Sequence, residues 1–184
     1  MNTKKEIKLN TPLDERIIKG LNAGDMVLLS GTVYGARDVA HKRMAACIKK
    51  NQPLPLDLHN LTIFYVGPCP APPGKKSGSV GPTTAARMDT LTEPLLQKGL
   101  KAMIGKGARS KPLKEALKKY SAVYFVSMGG IAAYLSTRIK KIEQVAYADL
   151  GAEAIYKLQL ENFPLFVAYD IYGGDIFEQA LRKE

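Results

Sequence analysis

LTIFYVG, residues 61–67, is the clearest strand in the chain, and what lies on either side of it decides the fold. Before it, DMVLLSGTVYGA (25–36) is rich in β-branched and apolar residues and reads as another strand. Asp38 follows as an N-cap for the helix VAHKRMAACIKK (39–50), whose Val39, Ala40, Met44, Cys47 and Ile48 make one apolar face. Beyond the strand, the stretch from Gly67 to Gly81 is too rich in glycine and proline for helix or ladder. Thr83 or Thr84 then opens a helical turn. Thr90 or Thr92 caps a second piece, with Pro94 near its first turn and Gly99 at its end. KAMIG (101–105) is a short buried strand, KPLKEALKKY (111–120) a helix capped by Ser110, and AVYFVSM (122–128) a central strand.

Towards the ends the pattern changes. KEIKLN (5–10) alternates weakly as an edge strand, and TPLDERIIKGL (11–21) is a short helix closed by Gly20 or Gly24. After a short helix in GGIAAYLSTRI (129–139), three stretches read as strands: KIEQVAYADL, AIYKLQLE and PLFVAYD. DIFEQALRK is a terminal helix. Strands alternate with helices in the middle and cluster at the end. The expected architecture is therefore a layered α/β domain with a mixed sheet, one domain over residues 1–184.

Composition narrows the chemistry. With 46% hydrophobic and 24% charged residues the chain has the makeup of a globular protein, and no apolar run approaches the roughly 20 residues of a membrane helix. The N-terminal stretch has no apolar signal region, so the expected location is cytoplasmic, with no membrane partner. Cys47 and Cys69 stand in unrelated contexts. Two thiols do not by themselves hold an iron–sulfur cluster, and two histidines, His41 and His59, make a self-contained zinc site a poor expectation. The net charge of +10 admits a nucleic-acid reading or an anionic substrate. Many lysines, however, stand in pairs such as Lys49–Lys50, Lys118–Lys119 and Lys140–Lys141 at the ends of apparent elements, and lysines at helix C-termini suit the dipole without any ligand. The aromatics lack a base-stacking pattern, so no nucleic-acid partner is expected.

APPGKKSGS (71–79) sits where a phosphate loop would, but its spacing is wrong: Cys69, not glycine, lies near the required position, and Lys76 stands where a hydroxyl is needed. GPTTAARMD (81–89) is more telling. A helix entry offers free N–H groups to a carboxylate, and Thr83 and Arg87, four apart, share a helical face. An arginine there clamps a carboxylate while the threonine hydroxyl bonds the same substrate; the competing reading is an N-cap threonine and a surface arginine. Arg37 in SGTVYGARD and Lys106 in IGKGARS also emerge at strand-to-helix turns, Lys106 flanked by glycines where it would be poorly solvated. Converging, the three cations would make a pocket for a small dianion.

Four segments occur in order: SGTVYGARDVAHKRM (30–44), IFYVGPCPAPPGKKSGSVGPTTAARMD (63–89), IGKGARS (104–110) and ADLGAEAIYKLQLENFPLFVAYD (148–170). Together they resemble the C-terminal part, or β subunit, of the class I iron–sulfur hydro-lyases, class I fumarase and L-tartrate dehydratase. The resemblance implies a β/β/α swivelling domain and reversible addition of water to the double bond of a small dicarboxylate. It also implies a [4Fe–4S] cluster, acting as Lewis acid, bound by a cysteine-bearing α subunit and not by this chain, in an α2β2 heterotetramer. By the same resemblance Thr83 matches the proposed base, Arg37 an arginine beside it, and Arg87 and Lys106 the cations that hold the remote carboxylate. Thr84 is the alternative hydroxyl, as base, substrate contact or helix cap. Ala86 stands where the family often has glycine.

Overall fold

The computed structural model describes residues 6–67, 81–127 and 132–181. Its elements in chain order are β1 (Glu6–Asn10), α1 (Glu15–Lys19), β2 (Met26–Gly35), α2 (Asp38–Lys49), β3 (Thr62–Phe64), α3 (Asp89–Gln97), β4 (Ala102–Gly105), α4 (Lys111–Lys119), β5 (Val123–Val126), α5 (Ala132–Thr137), β6 (Ile139–Ala146), β7 (Ile155–Tyr169) and α6 (Ile176–Leu181). Short 3-10 turns cover Ala85–Met88 and Ala148–Glu153.

Strands β1 to β5 run parallel, and β7 is antiparallel to β2, β5 and β6. The order β1-β2-β3-β4-β5-β7-β6 carries an additional pairing of β2 with β7. That pairing closes β2, β3, β4, β5 and β7 into a barrel, with β1 and β6 as extra strands at its sides. A parallel pair demands a crossover, and α2, α3 and α4 supply the ones between β2, β3, β4 and β5. The mixed, layered β/β/α swivelling architecture is thus what the chain adopts.

Side-chain alternation along the strands divides the core into two layers. Phe64, Ile104, Phe125, Phe163 and Val167 fill the barrel, where the rings of Phe64 and Phe163 meet edge to face at 5.5 Å. The intervening residues Ile63, Tyr65, Met103 and Tyr124 face the helices and pack on Met44 of α2, Leu95 of α3 and Leu117 of α4. In α4, Leu113, Ala116 and Leu117 turn inward as the helical spacing predicts, and Lys118 and Lys119 occupy its last turn.

Several local expectations are corrected. AIYKLQLE and PLFVAYD are one 15-residue strand, because Asn162, at φ 47°, bends the chain without ending it. The strand predicted over KIEQVAYADL stops at Ala146; Tyr147 is left-handed, and residues 148–153 turn instead. LTIFYVG contributes only Thr62–Phe64 to the ladder. α3 begins at Asp89, so Pro94 lies inside it, and the Thr92 hydroxyl donates to the Met88 carbonyl at 2.7 Å rather than capping. Ser110 holds the N-cap position of α4, but its backbone N–H, not its hydroxyl, makes the anchoring bond, to Asp89. On α2, Val39 is exposed and His41 is buried in its place.

Candidate active site

The parallel strands β2, β3, β4 and β5 all end on one rim, the place where open α/β sheets present their ligand-binding residues. Arg37 follows β2, Gly67 follows β3 and Lys106 follows β4. The predicted residues Thr83, Thr84 and Arg87 come to the same rim through backbone pairing. Thr83 N–H donates to the Tyr65 carbonyl at 2.8 Å, Lys106 N–H to the Thr83 carbonyl at 3.2 Å, and Ala85 N–H to the Lys106 carbonyl at 3.0 Å. GPTTAARMD is therefore wedged between the ends of β3 and β4. Gly105 permits this: a Cβ there would lie 2.8 Å from the Tyr65 ring and 3.0 Å from the Ala85 Cβ.

The two threonines separate. Thr84 precedes the 3-10 turn in cap position, forms an isolated bridge with Lys106 and leaves its side chain exposed without a capping bond among the described residues. Thr83 is half-buried, and its Oγ1 accepts a 2.8 Å hydrogen bond from Arg87 Nη2. Shared helical position is not what joins them, since Thr83 lies before the 3-10 turn and outside any helix; the tight turn at Ala85–Met88 folds the guanidinium back over it. The same nitrogen donates to Asp38 Oδ2 at 3.1 Å. Asp38 is thus the first residue of α2, not its N-cap, and Arg37 holds the cap position.

Arg37 is ion-paired through Nε with Glu153, whose other oxygen accepts from the Val39 N–H at 3.1 Å and so caps α2 from the turn before β7. The Arg37 guanidinium lies against Gly67, where an added Cβ would come within 2.9 Å of its Cζ and Nε. Lys106 is exposed, not poorly solvated as its glycine neighbours suggested, because its loop turns outward at Gly107, φ 81°. Among the described residues its side chain forms no ion pair. Backbone pairing joins Lys106 to Thr83, and side-chain bonds join Thr83, Arg87 and Asp38. Arg37 is coupled to that group as the neighbour of Asp38 in the chain.

Beneath the rim lies a second set that sequence reasoning left unassigned, although it sits inside the quoted motifs. Arg109 of IGKGARS is ion-paired with Asp89 of GPTTAARMD. It also donates to Tyr65 OH and Thr92 Oγ1, each at 3.3 Å, and its guanidinium lies over the rings of Tyr65 and Tyr124. Burial pushes the Tyr124 phenol up, so it stays a hydroxyl and donates to the Gly107 carbonyl at 3.0 Å. His41 is fully buried beside Tyr65, its Nδ1 on the Arg37 carbonyl at 3.1 Å, and burial pushes its pKa down to about 4. The imidazole is therefore neutral, with the Nδ1 proton on that carbonyl.

Among the described residues no three His, Cys, Asp or Glu side chains are grouped to hold a metal, and Cys47 lies half-buried on α2 away from the rim residues. The described residues do not fit a cluster. Cys69 and the Gly/Pro approach from Pro68 to Val80 lie outside them. No helix among the described residues is long and apolar enough to cross a membrane.

A closed mixed barrel with helices on one face and a rim of cations and hydroxyls defines a protein of the swivelling-domain class. Residues 1–180 match the family model described as Fumarase C-terminus, and the chain belongs to that family. It is 39% identical over 184 residues to "Fumarate hydratase class I, anaerobic" of Escherichia coli (strain K12), covering 97% of this chain and 33% of that protein. It is 41% identical over 179 residues to "Fumarate hydratase 1, mitochondrial" of Leishmania major, covering 94% and 32%. It is 32% identical over 176 residues to "L(+)-tartrate dehydratase subunit beta" of Escherichia coli (strain K12), covering 93% and 86%. The chain spans about a third of the length of the fumarate hydratases it matches.

Proposed function

We propose that this chain is the β-type half of a class I hydro-lyase, adding water to fumarate to give (S)-malate and reversing that reaction. The observation that carries the reading is the Arg87–Thr83 hydrogen bond at the strand rim, in a chain of this family. Because Thr83 Oγ1 accepts from a guanidinium, its own O–H is free to face a substrate carbon. In the hydration direction Thr83 gives that proton to carbon. In the reverse direction its oxygen takes the proton back, and hydrogen bonding to the charged form favours this otherwise weak base. Arg87 keeps Nη1 and Nε as single donors to a substrate oxygen, Lys106 adds an exposed ammonium, and Arg37 keeps its two terminal nitrogens, the pair able to grip a carboxylate, beyond the Glu153 contact.

In this reading the [4Fe–4S] cluster, when present, supplies Lewis-acid chemistry and is held by a partner subunit. Activity therefore requires two chains. The test is co-expression with a cysteine-bearing partner, followed by anaerobic assay of fumarate, malate and L-tartrate. Malate–fumarate interconversion by the pair, and none by this chain alone, is expected; full activity of the isolated chain contradicts it.

Tartrate is the second reading. The 86% coverage of the E. coli tartrate dehydratase β subunit favours it, against a third of each fumarate hydratase. The same panel separates the two acids.

A further inference from the structure

We infer that Asp38 is a positioning residue of this site, acting through Arg87 on the Thr83 hydroxyl; the inference rests on the hydro-lyase reading above. One guanidinium nitrogen, Arg87 Nη2, makes both bonds, to Asp38 Oδ2 at 3.1 Å and to Thr83 Oγ1 at 2.8 Å. The Arg87 side chain is 50% exposed and has no other ion pair among the described residues. Without Asp38 a long, solvated side chain would sample many rotamers, and only some of them place Nη2 on the Thr83 oxygen. Asp38 itself is 29% exposed and fixed in the first turn of α2, where the backbone is held by the Val39–Glu153 cap. The order of support runs from Glu153 to the start of α2, to Asp38, to Arg87, to Thr83.

Two features separate this role from an ordinary first-turn aspartate. An aspartate serving only the helix dipole needs no cation partner, and the orphan N–H at Val39 is already taken by Glu153. The carboxylate is turned instead across the rim to a residue 49 positions away. With both Nη2 hydrogens committed to Asp38 and Thr83, Nη1 and Nε remain as separate single donors. Asp38 therefore fixes the guanidinium over Thr83 and leaves it one-point contacts for a substrate oxygen.

The test is a double-mutant cycle in the two-chain enzyme. Asp38→Asn is expected to lower kcat about tenfold, with a smaller change in KM, because it loosens a hydrogen bond to the reacting group. In an Arg87→Ala background the same replacement is expected to change kcat by less than about twofold, since its target is gone. The shift in Tm should be small in both backgrounds, since a pair this exposed is worth at most about 1 kcal/mol. Asp38→Glu, which keeps the charge, should recover part of the loss. An equal loss of kcat in both backgrounds, or none in either, overturns the inference. A second readout needs no turnover: in the 184-residue chain, the hindered Nη rotation of 15N-labelled Arg87 should be released by Asp38→Asn, and unchanged rotation overturns the inference as well. Wild-type enzyme inactive on every acid would sink the hydro-lyase reading, while an active wild type with an additive cycle sinks this one alone.

Discussion

Arg109 Nε stands 2.5 Å from Asp89 Oδ1, with the arginine side chain fully buried and the aspartate 8% exposed. The pair joins the two motifs that build the rim. Asp89 closes GPTTAARMD and starts α3; Arg109 closes the Lys106 loop, its backbone N–H resting on Tyr169 OH at 3.0 Å. The second Asp89 oxygen accepts from Ser110 N–H at 2.6 Å, so one carboxylate pins the starts of α3 and α4 together. What looks in the sequence like two more surface charges is the fastener beneath the site.

Breaking that fastener from one side leaves a charge buried and unpaired. Arg109→Met should lower stability in urea by about 3–5 kcal/mol, the usual penalty for stranding half of a buried pair. Replacing both residues by apolar ones should recover part of the loss. A change below about 1 kcal/mol for the single variant would mean that the pair does not hold the rim.

The fold was largely legible because each element carries its own period. Continuous apolar runs gave the buried strands, i, i+3, i+4 spacing gave α4, β-branched and apolar content gave β2, and weak alternation gave the edge strand β1. Closure of the barrel was not legible, since it depends on β7 pairing with β2 across more than a hundred residues, which no local pattern encodes. Among the candidate site residues, Arg37 and Lys106 were visible as cations beside glycines after strands, and Thr83, Thr84 and Arg87 as polar groups at a helix entry behind a Gly/Pro-rich run. Their partners were not: Glu153 lies in an unremarkable turn, and Asp38 resembles a helix cap until the Arg87 guanidinium is seen on it. Exposure of Lys106 was missed because its glycine flanks suggested confinement, whereas Gly107 turns the loop towards water.

His41 predicts a pH dependence. Its folded pKa, about 4, lies below the unfolded value of 6.5, so the unfolded chain binds the extra proton first. Stability from this group is full above pH 6.5, falls as the pH drops towards 4, and is lost by roughly 3 kcal/mol below that. His41→Gln should flatten this part of the stability–pH curve measured by urea denaturation. A variant curve parallel to wild type between pH 6.5 and 4 would show that His41 does not titrate on unfolding.

Gly67→Ala is expected to separate activity from stability. Its Cβ would fall 2.9 Å from the Arg37 guanidinium and 3.1 Å from the Ala152 carbonyl. The nearest atoms are the far end of a flexible side chain, so the fold should give by only about 1 kcal/mol while the Arg37 guanidinium is displaced from its place on Glu153. Two-chain turnover should drop about tenfold at nearly unchanged Tm, as small displacements of positioned groups cost rate steeply. A fall in Tm without a fall in turnover would remove Arg37 from the site.

The most direct test of the central claim, that Thr83 moves the proton, is kcat of the reconstituted two-chain enzyme carrying Thr83→Ala, with the iron–sulfur absorption recorded on the same sample. The arrangement predicts a loss of at least about a hundredfold with the cluster spectrum intact, the magnitude of losing a positioned acid–base group. Thr84→Ala, whose side chain has no bond to Arg87, should lose much less. Near-wild-type turnover by Thr83→Ala would contradict the account.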